Sequence, residues 1–160
     1  NDRSVRRGGH LVYAMRVTEA LTYDAYSRDP RYESKKPYRN GSRKQSCGDN
    51  IYFRAAAGVA WQQRDSFHSR PDGSLNPDHV ARDTSVNSVL ISNDFVYFGG
   101  EGPKFPDELN DQQGRSICKT GIGLTTFDDA QLVADFEQWI RSLVVSGYQG
   151  APFEWLTLRR

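Results

Sequence analysis

The longest helical pattern in the chain runs from Phe127 to Val145, where Leu132, Val133, Phe136, Trp139, Ile140, Leu143 and Val144 recur at steps of three and four. Thr126 stands in the capping position, Asp128 and Asp129 suit the positive end of the helix dipole, Arg141 suits the negative end, and Gly147 is the natural terminator. This periodicity makes Phe136, Trp139, Ile140 and Leu143 core residues. Ahead of the helix the chain reads as short strands and brief helical turns, which excludes an all-helical bundle. Strands, short helices, more strands and a closing helix make an α+β fold: a curved, mixed, mostly antiparallel sheet or partly open barrel, with flanking helices and the long C-terminal one.

The first clear strand is His10–Val17, with Leu11, Tyr13, Met15 and Val17 on one face and Val12 and Ala14 on the other. Apolar residues on both sides predict a strand covered on both faces, with sheet partners before Asn1 as well as after it. Thr18–Asp29 has a short helical pattern that Pro30 stops. Ile51-Tyr52-Phe53 and Val59–Gln62 read as a hairpin closed through Ala55–Gly58. Asn76 and Pro77 open a helix that runs to about Asp83. Ser88–Ser92 and Phe95–Phe98, joined at Asn93-Asp94, read as a second hairpin.

A chain of 160 residues fits one domain, 1–160, and its 37% apolar content supplies one modest core. The net charge of +1, from 21 basic and 20 acidic residues, argues against a broad duplex-DNA footprint, which needs a clear basic excess. Local basic clusters at Arg3–Arg7 and Arg28–Lys44 fit a solvated loop or a grip on one phosphate. Cys47 and Cys118 are far apart and form no CxxC pair, so neither a disulfide framework nor a zinc site is expected. No other cofactor is implied. Reduced thiols, no charged-then-apolar leader and no apolar run near the ~20 residues that span a bilayer fit a cytoplasmic address.

Two polar clusters carry possible chemistry. Cys47-Gly48-Asp49-Asn50-Ile51-Tyr52 puts a carboxylate and an amide at the mouth of a strand. An Asn can pair a base edge through donor and acceptor together, and Tyr52 can stack. A turn in which Asp49 and Asn50 bond their own backbone competes with that reading. Arg64-Asp65-Ser66-Phe67-His68-Ser69 sets an acid–base group among hydroxyls, and a structural or ligand-contacting His68 competes with a catalytic one. No nucleophile elbow is present, and Gly99-Gly100-Glu101-Gly102 is neither a P-loop nor a dinucleotide fingerprint.

Three stretches together carry a family resemblance. They are His10–Val17 with Tyr26, Asp29-Pro30-Arg31-Tyr32 and Lys36-Pro37; Gly48-Asp49-Asn50-Ile51-Tyr52 with Ser66-Phe67-His68-Ser69; and Val89–Ser92 with Phe95–Gly100. Over most of Gly9–Trp155 the chain resembles the bacterial nucleotide modification associated domain 2 proteins. The resemblance implies an upstream segment, with a first strand and a Gly-Asp-Trp-Val-like motif, that precedes Asn1 or is supplied by a protein partner. The layout is also similar, at fold level only, to the PUA-like group of EVE, YTH and ASCH domains.

The expected activity is therefore binding of a nucleotide, as a modified base in single-stranded or flipped form, within nucleic-acid modification or phage-defence systems. Asp49 and Asn50 would bond the base edge, Tyr52 and Trp61 offer stacking surface, His68 and Ser69 line the same pocket, and Lys36 meets a phosphate. An enzyme acting on a nucleotide or base, with His68 as acid–base and Asp49 as its partner, is the first alternative. A binder of free nucleotide signals is the second.

Overall fold

A computed structural model describes residues 8–118 and 123–152. The basic cluster at Arg3–Arg7 lies outside them, as does Trp155. The chain divides into two compact units, one built from the chain up to Arg16 together with that from Ser92 onward, the other from Val17–Ile91.

The first unit holds β1 (Tyr13–Arg16), and the Val17–Ile91 unit begins with β2 (Glu19–Leu21) and α1 (Tyr23–Arg28). Thr22 caps α1 through its side chain, which accepts from the Ala25 N–H. Asp29 receives the chain there and caps a 3₁₀ segment, Pro30–Lys35, by accepting from the Arg31 N–H. The polar stretch that follows contains α2 (Arg43–Ser46), closed by a reciprocal capping box between Ser42 and Gln45. Then come β3 (Tyr52–Phe53) and β4 (Gln62–Gln63), paired antiparallel with Tyr52 opposite Gln63. The expected hairpin thus forms, its first strand starting one residue later and its second three residues later than expected.

The helix expected from Asn76 is α3 (Pro77–Asp83), and the Asn76 side chain accepts from the Asp78 and His79 N–H groups. β5 (Val89–Ile91) closes this unit by pairing antiparallel with β2. Its core is Ile51, Tyr52 and Val80, with Tyr23 and Trp61 packed against them. Gly48 is forced: a Cβ there would lie 2.4 Å from the Lys35 carbonyl oxygen, so only glycine lets the Gly48–Asn50 turn close on the loop beside it.

In the other unit β6 (Asp94–Tyr97) pairs antiparallel with β1 and parallel with β7 (Gly147–Tyr148), giving the order β1-β6-β7. α4 (Ala130–Ser142) is the long helix. It starts later than Phe127 because the Asp129 carboxylate, not Thr126, accepts from the Gln131 and Leu132 N–H groups. Of its apolar face Leu132 is fully buried, while Phe136, Trp139, Ile140 and Leu143 are half-buried. Trp139 packs against Phe105 and Phe136 at ring distances of 5.2 and 6.0 Å. After α4, Val144 holds a left-handed φ of 52°.

The α+β class stands, but further sequence expectations change, among them the helical reading of Thr18–Asp29, in which Glu19–Leu21 is the strand β2. The described strands make three small sheets, with no closed barrel and no single curved sheet among them. The second hairpin does not form. A two-residue turn needs positive φ, which neither Asn93 nor Asp94 adopts, and the Ser92 hydroxyl instead bonds both N–H and C=O of Asp94. β5 and β6 consequently pair with β2 and β1. Finally, β1 is not covered on both faces: Tyr13 is 58% exposed, and Met15 is exposed as well.

Candidate functional site

The polar groups of the Val17–Ile91 unit converge on Asp83, the last residue of α3. Its Oδ2 accepts from the Tyr52 hydroxyl at 2.6 Å and from His68 Nδ1 at 2.8 Å, and its Oδ1 accepts from Arg82 Nε at 2.8 Å. The Tyr23 hydroxyl donates to the Asp83 backbone oxygen at 2.9 Å. Gln63 ties the site to the helix start, its Oε1 accepting from the Asn76 N–H at 2.8 Å while its Nε2 lies 3.5 Å from the Tyr52 oxygen. The β3–β4 pair supplies Tyr52 and Gln63, α3 supplies Asp83, and the Ser66–Ser69 turn supplies His68.

Burial works against a charged Asp83, but the hydrogen bonds from Arg82, Tyr52 and His68 outweigh it and bring its pKa down to about 2. Tyr52 moves the other way: burial first, then the bond to the Asp83 carboxylate, pushes its phenol up. Tyr52 thus keeps its proton and donates a hydrogen bond to the ionised Asp83. A carboxylate facing Nδ1 fixes the imidazole tautomer with the proton on Nδ1 and the lone pair on Nε2. The His68 side chain is 44% exposed. Behind it sits the His79 ring, 5.4 Å away and steeply inclined, with a buried Nδ1 that has no partner.

The structure distributes the expected site residues differently. Asn50 is 1% exposed, and its Nδ2 donates to the Tyr26 and Tyr32 backbone oxygens, so it anchors its own loop, and burial keeps its edge, the unpartnered Oδ1 included, from a base. Asp49 accepts from the Tyr26 hydroxyl at 2.7 Å. His68 is partnered by Asp83, not by Asp49. Tyr52 is 3% exposed, a core ring with a polar tip, which removes it as a stacking surface.

Trp61 is half-buried beneath the Arg54 guanidinium, 4.4 Å from its ring, and against Tyr23. Arg54 is itself held by two bonds to Asp24 Oδ2. Ser69 is a turn residue: its hydroxyl accepts from the Ser66 N–H and contacts Asp65 Oδ1 and the Ser66 carbonyl. Lys36 is paired with Glu33. Of the expected set, Tyr52 and His68 are joined by direct polar contact, 3.1 Å apart.

Asp83 and His79 escaped the sequence reading as site residues, although a signal existed. Their spacing of four on a correctly predicted helix places both on one face. Among the described residues no group of three His, Cys, Asp or Glu is arranged to hold a metal, and no helix is long and apolar enough to cross a membrane.

Fold and site together define an α+β chain with a histidine anchored by a carboxylate at its surface. The chain belongs to the family described as nucleotide modification associated domain 2, whose model matches residues 1–159, and it is thereby associated with nucleotide modification. No curated protein and no solved structure matches it.

Proposed function

We propose that the chain recognises a nucleotide or modified base at the face of the Val17–Ile91 unit that presents His68, within a nucleic-acid modification or phage-defence system. The observation that carries this reading is the 2.8 Å bond from His68 Nδ1 to Asp83, which leaves Nε2 as an oriented acceptor on a partly exposed ring. An N–H of a ligand edge is its natural partner. The family membership supports the ligand class.

The same bond favours a second reading, an enzyme acting on the base or nucleotide. An imidazole oriented by a carboxylate accepts a proton at Nε2, and the carboxylate stabilises the cation formed. The test is titration of wild type, His68→Gln and His68→Ala with nucleoside monophosphates and short single strands, with products followed by mass spectrometry. Binding lost in both variants without product formation supports recognition. Product formation abolished by His68→Ala, with binding retained, supports the enzyme. Wild-type affinity in both variants would remove His68 from the site.

A further inference from the structure

Phe67, the residue before His68, is 63% exposed. A lone exposed aromatic is ordinary and by itself assigns nothing. Its setting is different, because the turn that carries it is locked by bonds from each side. Ser66 is buried, and its hydroxyl accepts from the His68 N–H at 3.1 Å. The Ser69 hydroxyl accepts from the Ser66 N–H at 3.0 Å, and the Ser69 N–H closes the turn on the Ser66 carbonyl. Asp65, bonded to Ser69, is held in turn by Arg39 at 2.7 Å. Phe67 is thus held in water on a fixed turn, next to an imidazole that Asp83 fixes, and an aromatic placed in this way loses little freedom on meeting a ring.

We infer that Phe67 is a stacking platform for a nucleobase whose edge donates to His68 Nε2, an inference that rests on His68 being the ligand-facing group. Phe67 and His68 are neighbours on the same locked turn, their Cα atoms ~3.8 Å apart, and the inference requires both rings to meet one base. With the Nδ1 proton committed to Asp83, Nε2 of the neutral ring only accepts, and a ligand bound to that form must present an amino or ring N–H group. Phe67 fills the role that burial denies to Tyr52 and that Arg54 and Tyr23 obstruct at Trp61.

The experiment is calorimetric titration of the 160-residue chain with nucleoside monophosphates and, separately, with short mixed-sequence single strands. Wild type is compared with Phe67→Ala, Phe67→Trp and His68→Gln. Phe67→Ala weakens binding by about 5- to 150-fold, as loss of one stacked aromatic does, and Phe67→Trp retains it. The ring is exposed, so Phe67→Ala unfolds as wild type does and the loss is one of binding. Tighter binding of monophosphates or of strands identifies the source of the base, and either supports the stack. Wild-type affinity in Phe67→Ala with binding lost in His68→Gln overturns the platform and leaves the His68 reading intact. A wild type that binds no probe overturns both.

Discussion

Replacing Asp83 by Asn tests whether one carboxylate organises the site. The substitution keeps shape and removes charge. Folding lowers the Asp83 pKa from the ordinary 3.8 to about 2, which corresponds to about 2 kcal/mol of stability at neutral pH. The side chain is 19% exposed, so solvent screening takes only a small part of that. Because the folded value is the lower one, the contribution is complete above about pH 4 and disappears as pH falls towards 2.

An Asn amide has one acceptor and one donor end. With its oxygen towards Tyr52 and His68, its NH₂ faces Arg82, which only donates. With the amide reversed, His68 must surrender the Nδ1 proton and carry it on Nε2 instead. Asp83→Asn therefore loses about 2 kcal/mol by urea unfolding at pH 7, and the gap from wild type closes as the pH is lowered from 4 towards 2. Nitrogen NMR of His68 distinguishes the two amide orientations, since only the reversed one moves the proton to Nε2. An undiminished gap at pH 2.5, or an unchanged stability at pH 7, would refute the argument that ionisation of Asp83 holds the site.

Two further outcomes concern the other unit. Trp139→Ala costs about 2 kcal/mol in denaturant unfolding, below the ~3–5 kcal/mol of a fully buried aromatic, because the ring is half-buried; a loss near zero would show that its packing on Phe105 contributes nothing. Val144→Gly raises stability by about 1 kcal/mol, since a β-branched residue at φ 52° costs more there than glycine loses in chain entropy; a destabilised variant would show that the Val144 side chain makes a compensating contact.

The sequence was most legible where the signal was local. Asn76 and Pro77 predict α3 to the residue, because a side-chain cap and a fixed φ act within one turn. The β3–β4 pairing was legible in part: the strand at Tyr52-Phe53 is where it was expected, but its partner is Gln62-Gln63 and not the apolar Val59–Trp61. The hairpin expected at Asn93-Asp94 fails for a reason equally local but easily overlooked, the Ser92 hydroxyl that redirects the chain. What periodicity does not provide is the identity of a strand's partner. Val89–Ile91 pairs with Glu19–Leu21 and Asp94–Tyr97 with Tyr13–Arg16, choices made by sequence-distant residues that the apolar pattern leaves open.

The site shows the same division between local and distant determinants. His68 and Tyr52 stand out by residue type, and the structure brings them together, but the carboxylate between them does not come from the Gly48-Asp49-Asn50 turn. Asn50 is consumed by the Tyr26 and Tyr32 carbonyls and Asp49 by the Tyr26 hydroxyl, so that turn closes a loop. Asp83, fifteen positions from His68, takes the place expected for Asp49. The exchange alters the chemistry as well as the map. A carboxylate at the end of a helix capped by Asn76 sits on a regular element, and Gln63 bonds the backbone of that same cap while its other end lies beside Tyr52. His68 is therefore oriented by groups whose positions are set by the β3–β4 pair and α3. On the proposed reading, this preorganisation is what recognition of a single base edge requires.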